Sequence, residues 1–148
     1  MSKYMRIETV FKDEDTLRRA LVDVCQSRRI QFETGQNLSL YGYRGRERAE
    51  TSDYVIRRKF VGSAANDLGF ARKADGTFEA VISQFDSRTE GMRILNEIRQ
   101  RYTRLQVEKL ARARGMRVEE VKDTSGVIRL KFYPTASRRT THQVYARR

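Results

Sequence analysis

Residues 67–85 read DLGFARKADGTFEAVISQF, and this stretch decides the fold. Asp75-Gly76 is the turn chemistry of a tight antiparallel hairpin, in which glycine supplies the left-handed backbone. Aromatic and β-branched residues stand on both sides of it. The pattern predicts two paired strands, at residues 67–72 and 78–85. Upstream, residues 54–60 read YVIRRKF and predict another strand. Residues 30–33 and 38–41 predict two more, separated by the turn cluster Thr34-Gly35-Gln36-Asn37. Near-alternation at residues 4–11 predicts the first strand.

Two helices interrupt these strands. Asp13 is a good N-cap, and Asp13, Glu14 and Asp15 sit where a helix start favours negative charge. Leu17, Ala20, Leu21 and Val24 form one apolar stripe, and the helix should stop near Ser27. A longer helix is expected over 89–114, with Ile94, Leu95, Ile98, Tyr102, Leu105 and Leu110 able to form its core face and Gly115 as its cap. A closing hairpin follows at 116–121 and 127–133, turning across Asp123-Thr124-Ser125-Gly126. The expected order is β-α-β-β-β-β-β-α-β-β. With connections this short, that is an α+β fold: an antiparallel sheet with two helices packed on one face. A single domain over 1–134 and a basic, flexible C-terminal tail over 135–148 are expected.

Charge narrows the classes of function. The 148 residues carry 31 Lys and Arg against 19 Asp and Glu, a net charge of +12. Arginine forks suit carboxylate and phosphate, so an acidic protein or a nucleic acid is the expected partner. A solvated, arginine-rich surface without a partner is the competing reading. With Cys25 as the one cysteine and His142 as the one histidine, no internal disulfide, four-cysteine metal site or histidine triad can be assembled. Cys25 adjoins an apolar stripe and reads as a buried small residue. Asp13, Glu14 and Asp15 are accounted for as a charged first helical turn. No catalytic, cofactor or metal residue is therefore expected. No run of about 18 apolar residues occurs, and the N-terminus lacks the pattern of a signal peptide. No membrane association is expected, and the location expected is the cytoplasm or plastid stroma.

The remaining candidates are basic and aromatic. LYGYRG at residues 40–45 precedes no helix and no Gly-Lys-Ser/Thr, so it is not a Walker-type phosphate cradle. It reads as a strand bend at Gly42 and a turn at Gly45, or as a surface where Tyr41, Tyr43 and Arg44 meet a base or an acidic loop. Arg57, Arg58 and Lys59 fall on an expected strand, where neighbours point to opposite faces. Arg101 and Arg104 fall on the long helix, where the Glu97-to-Arg101 spacing also suits a plain solvated face. Arg138 and Arg139 fall in the tail, as a polyanion-binding arm or a solubilising one.

Six elements carry a resemblance. They are Gly42-Tyr43-Arg44-Gly45, Asp53-Tyr54-Val55-Ile56-Arg57, Asp67-Leu68-Gly69-Phe70, Gly76-Thr77-Phe78-Glu79-Ala80-Val81, Gln100-Arg101-Tyr102 and Gly126-Val127-Ile128-Arg129-Leu130. In order and spacing along residues 3–132 they resemble the hypothetical chloroplast open reading frame 35 family. That family is a domain of unknown function found in plastids, cyanobacteria and other bacteria. The resemblance implies a protein without established activity that accompanies AAA+ ATPases, hence an adaptor. The basic long helix and the tail after Pro134 depart from the family's pattern. The expectation is a non-enzymatic accessory protein that binds an acidic protein partner. Nucleic-acid binding is the alternative, and an enzyme the third reading.

Overall fold

In a computed structural model, which describes residues 2–135, the chain divides into two compact units, Met1–Tyr102 and Thr103–Arg148. The first holds β1 (Tyr4–Phe11), α1 (Glu14–Arg28), β2 (Glu33–Tyr41), β3 (Glu47–Ile56), the single turn α2 (Arg58–Val61), β4 (Leu68–Arg72) and β5 (Phe78–Ser83). Helix α3 (Glu90–Ala113) begins there and runs into the second unit, which contains β6 (Met116–Lys122) and β7 (Ile128–Pro134). The fold is α+β, as the sequence predicts. The main sheet has the order β1-β5-β4-β3-β2 with every pairing antiparallel. The Asp75-Gly76 hairpin closes as expected, with the Lys73 N–H donating to Thr77 O at 2.7 Å.

Two expectations need correction. The cluster at residues 34–37 does not separate two strands, so four strands and a helical turn lie between the long helices, not five strands. The cluster lies inside β2, as an irregularity in register between Thr34 and Leu38. Asn37 adopts φ 51 there, and its N–H donates to Asp53 Oδ1 at 3.0 Å. A bulge and a turn use the same residue types. The second correction concerns residues 54–60. The strand ends at Ile56, and the chain then makes the turn of α2. Arg58 N–H is taken by the Asp67 carboxylate at 2.7 Å instead of by a neighbouring strand.

Alternation along the strands gives the sheet two apolar faces. On one, Phe11 packs edge-on against Phe70 and Tyr102, with centroids 5.8 and 5.0 Å apart, and Tyr54 packs against Phe78 at 5.6 Å. Helix α1 contributes the fully buried Leu17 and Leu21, and the first half of α3 contributes Ile94, Leu95 and Ile98. These helices are tied together by Arg28, which binds Glu90 at 2.6 Å and also Glu97, and by Arg101 to Asp23 at 2.7 Å. The Tyr102 hydroxyl accepts from the Lys12 and Asp13 N–H groups at 2.9 and 3.0 Å, which closes the chain between β1 and α1. Tyr102→Phe should therefore lower stability by about 1–2 kcal/mol, the cost of stranding part-buried donors. Chemical unfolding would measure it, and an unchanged midpoint would show that these donors find water.

On the other face, Leu40, Val55, Ala71 and Val81 pack together with Tyr4 and Leu38. The sheet covers this cluster by curling on itself. Tyr4 of β1 donates its hydroxyl to Asp67 O at 2.9 Å, and Arg48 of β3 donates to Ser2 O at 3.0 Å and lies over the Tyr4 ring. A side chain at Gly69 would stand in the way, since a Cβ there would be 2.2 Å from Ser52 Oγ.

In the second unit, β6 and β7 pair in register from Met116↔Pro134 to Lys122↔Ile128. The Asp123 carboxylate caps the turn, accepting from Ser125 and Val127 N–H at 2.9 and 3.0 Å. The predicted closing hairpin forms. Arg138, Arg139, His142 and the tail from residue 136 lie outside the described residues.

Candidate partner-binding site

One buried carboxylate builds the site. Asp67 is 1% exposed and starts the run into β4. Its Oδ2 accepts from Tyr41 N–H and from Arg57 Nη1, each at 2.8 Å, and its Oδ1 accepts from Arg58 N–H. Its own N–H donates to Tyr41 O at 2.9 Å. The end of β2, the end of β3 and the start of α2 are thus pinned to one residue. Asn66 fixes the next layer. Its Oδ1 accepts from Tyr43 N–H at 2.8 Å, and its Nδ2 donates to Ser83 Oγ and Asp86 Oδ2 at 2.9 and 3.1 Å. Ser83 Oγ donates in turn to Asp86 Oδ2 at 2.6 Å. Asn66, Ser83 and Asp86 are all buried. Burial, with the charges of Asp67 and Asp86, pushes the Tyr4 phenol far above its ordinary range.

These anchors hold the LYGYRG turn in shape. Gly42 N–H donates to Arg46 O at 2.7 Å, and Gly45 N–H to Gly42 O at 2.9 Å. Arg44 and Gly45 take successive left-handed conformations, φ 69 and 75. For Arg44 that backbone costs roughly 1–2 kcal/mol, a strain glycine does not feel. Tyr43 is 44% exposed, with Arg44 and Arg58 guanidinium carbons 5.4 and 5.9 Å from its ring centroid. Tyr41 is 37% exposed and carries Arg57 at 5.5 Å.

Of the predicted candidates, Tyr41, Tyr43, Arg44, Arg57 and Arg58 meet in this cluster. Their charges differ in availability. Arg57 is held by Asp67, by Glu33 at 2.9 Å and by Ser39 O at 2.8 Å, so it braces the Tyr41 ring from inside. The same contact holds the Glu33 carboxyl below its usual range. Arg58 Nε donates to Ala65 O at 3.1 Å, while Arg44 has no ion pair among the described residues. Lys59 follows Arg58 on α2, not on a strand, with its ammonium 5.0 Å from the Phe60 ring centroid. Arg101 and Arg104 do not join the cluster, since Arg101 binds Asp23 and Arg104 binds Glu120 at 2.6 Å.

Sequence reasoning missed four residues. Arg46 is exposed, without an ion pair among the described residues, and lies in the same turn. Asn66, Asp67 and Asp86 are the anchors. The available signal was Asn66-Asp67 between Ala65 and Leu68, two short polar side chains inside an apolar run. Cys25 is buried as expected, and burial pushes its thiol up to about 11. Among the described residues no group of three or more His, Cys, Asp or Glu is placed to hold a metal ion. No helix among them is long and apolar enough to cross a membrane.

The fold and site thus define an α+β domain whose curled sheet presents a rigid tyrosine–arginine turn on buried carboxylate anchors. Residues 26–131, the stretch that builds β2 to β6 and most of the anchors' surroundings, match a family described as protein of unknown function (DUF1257), and the chain belongs to that family. No curated protein and no solved structure matches it.

Proposed function

We propose that this chain is a non-enzymatic accessory protein that binds an acidic protein partner through the Tyr43 turn. The observation that carries the reading is the placement of Arg44 and Arg58 against one exposed ring. Guanidinium groups held this way are pre-ordered forks for carboxylates. They also stand against the tyrosine on which a base would stack, which favours carboxylate over nucleobase. The ordered motifs resembling the hypothetical chloroplast open reading frame 35 family support the finer assignment to that group. They bring in an AAA+ ATPase or an assembly complex in the cytoplasm or plastid stroma as the candidate partner. Nucleic acid is the second reading, favoured by the net charge of +12.

The test is purification from the native cell at moderate salt, with nuclease treatment, of the wild-type chain and of Arg44→Glu/Arg58→Glu. The expected result is a stoichiometric acidic protein that survives nuclease, with affinity for the variant lower by roughly 100-fold. Loss of the partner on nuclease treatment, with binding that falls steeply with salt, would favour nucleic acid instead. Full retention by the variant would remove the turn from the interface.

A further inference from the structure

The described part of the second unit leaves several large apolar groups exposed. Across residues 103–135 the one buried hydrophobic residue is Ala111. Leu110, Val127, Ile128 and Phe132 are each at least half exposed, and Val121 is 37% exposed. Residues opposite one another in the hairpin share a face. The pairs Val118↔Phe132, Glu120↔Leu130 and Lys122↔Ile128 therefore give one face an apolar row. An isolated two-stranded hairpin is marginal in water, and an apolar row of this kind marks an interaction surface.

The charge around the row selects the occupant. Residues 103–135 contain eight Lys and Arg and four Asp and Glu. All four acids are engaged: Glu108 and Glu120 by Arg104, Glu119 by Arg117, and Asp123 by Arg129. Arg112, Arg114, Lys122 and Lys131 have no ion pair among the described residues. A second copy of this surface would bring like charges together around the apolar contact. An acidic segment would neutralise them.

We infer that the β6–β7 hairpin docks an acidic, amphipathic segment of a partner protein, with Phe132 and Ile128 as apolar anchors and Lys122, opposite Ile128 on the same face, as the flanking charge. This proposal does not rest on the reading of the Tyr43 turn.

The probe is a synthetic 18-residue peptide with leucine at helical spacing and glutamate elsewhere, added to the full chain. Amide hydrogen exchange reads occupancy at residues 110–132. The expected result is at least tenfold slower exchange there with this peptide. Polyglutamate of the same length, or the same peptide with lysine for glutamate, should leave those amides unprotected. Phe132→Ser/Ile128→Ser and the surface variant Lys122→Glu should each abolish the protection. The second variant carries the test if the first does not fold. Equal protection by polyglutamate, displacement by an RNA oligonucleotide, protection unchanged in Lys122→Glu, or dimerisation of the chain through this face would each overturn the inference.

Discussion

Asp67→Ala should lose about 3–5 kcal/mol of stability, the cost of removing one partner from a buried, hydrogen-bonded charge pair. The carboxylate is 1% exposed and serves Arg57 and the N–H groups of Tyr41 and Arg58 together. Without it, two backbone donors lose their acceptor at once, and the part-buried Arg57 guanidinium is left with Glu33 and Ser39 O alone. Asp67→Asn keeps the shape and an acceptor oxygen but not the charge, so it should fall between wild type and alanine. Urea unfolding of the three chains would measure the series. An alanine variant within 1 kcal/mol of wild type would mean that the ends of β2 and β3 are held by something else. The same substitution should disorder the Tyr43 turn even where the chain stays folded, because Tyr41 and Arg58 would lose their fixed separation.

Asp86 sets the second large effect. Its Oδ2 accepts from Asn66 N–H, Asn66 Nδ2 and Ser83 Oγ, while its Oδ1 is buried with no hydrogen-bond partner among the described residues. Asp86→Ala removes the acceptor of all three and should lower stability by about 2–4 kcal/mol. Asp86→Asn can keep its oxygen at the Oδ2 position, so its loss should be smaller, near 1 kcal/mol. Thermal or urea unfolding separates the two substitutions. Equal losses would show that the negative charge, and not the acceptor geometry, holds the node. Slower or faster exchange of the Tyr43 amide would report whether Asn66, which accepts from it, has moved.

These two carboxylates also mark where the sequence stops being legible. The elements that depend on local pattern were readable: the Asp75-Gly76 hairpin, the apolar stripes of α1 and of α3 as far as Tyr102, the Asp13 cap and the closing hairpin; Leu110, expected on the same core face, is exposed. What failed was non-local. Residues 57–60 continue a strand pattern, but Asp67, later in the chain, takes the Arg58 amide and turns the backbone into α2. Thr34–Asn37 carries turn chemistry, yet the Asp53 side chain accepts the Asn37 amide and keeps the segment within β2. Tyr41, Tyr43, Arg44 and Arg58 stood out as residue types. Their meeting at one place follows from Asn66 and Asp67, which no periodicity links to them. For Arg101 the sequence offered Glu97 one turn away, whereas the partner is Asp23 on α1. Arginine composition alone could not separate the ion-paired side chains from those at the Tyr43 turn.

The most direct measurement of the central claim is an amide NMR titration of the full chain with hexaglutamate at low salt, repeated on Arg44→Ala/Arg58→Ala. Saturable shifts concentrated at residues 41–46 and 58–59, and abolished in the variant, are the predicted result. Shifts scattered evenly over every basic face, or identical in the variant, would contradict it.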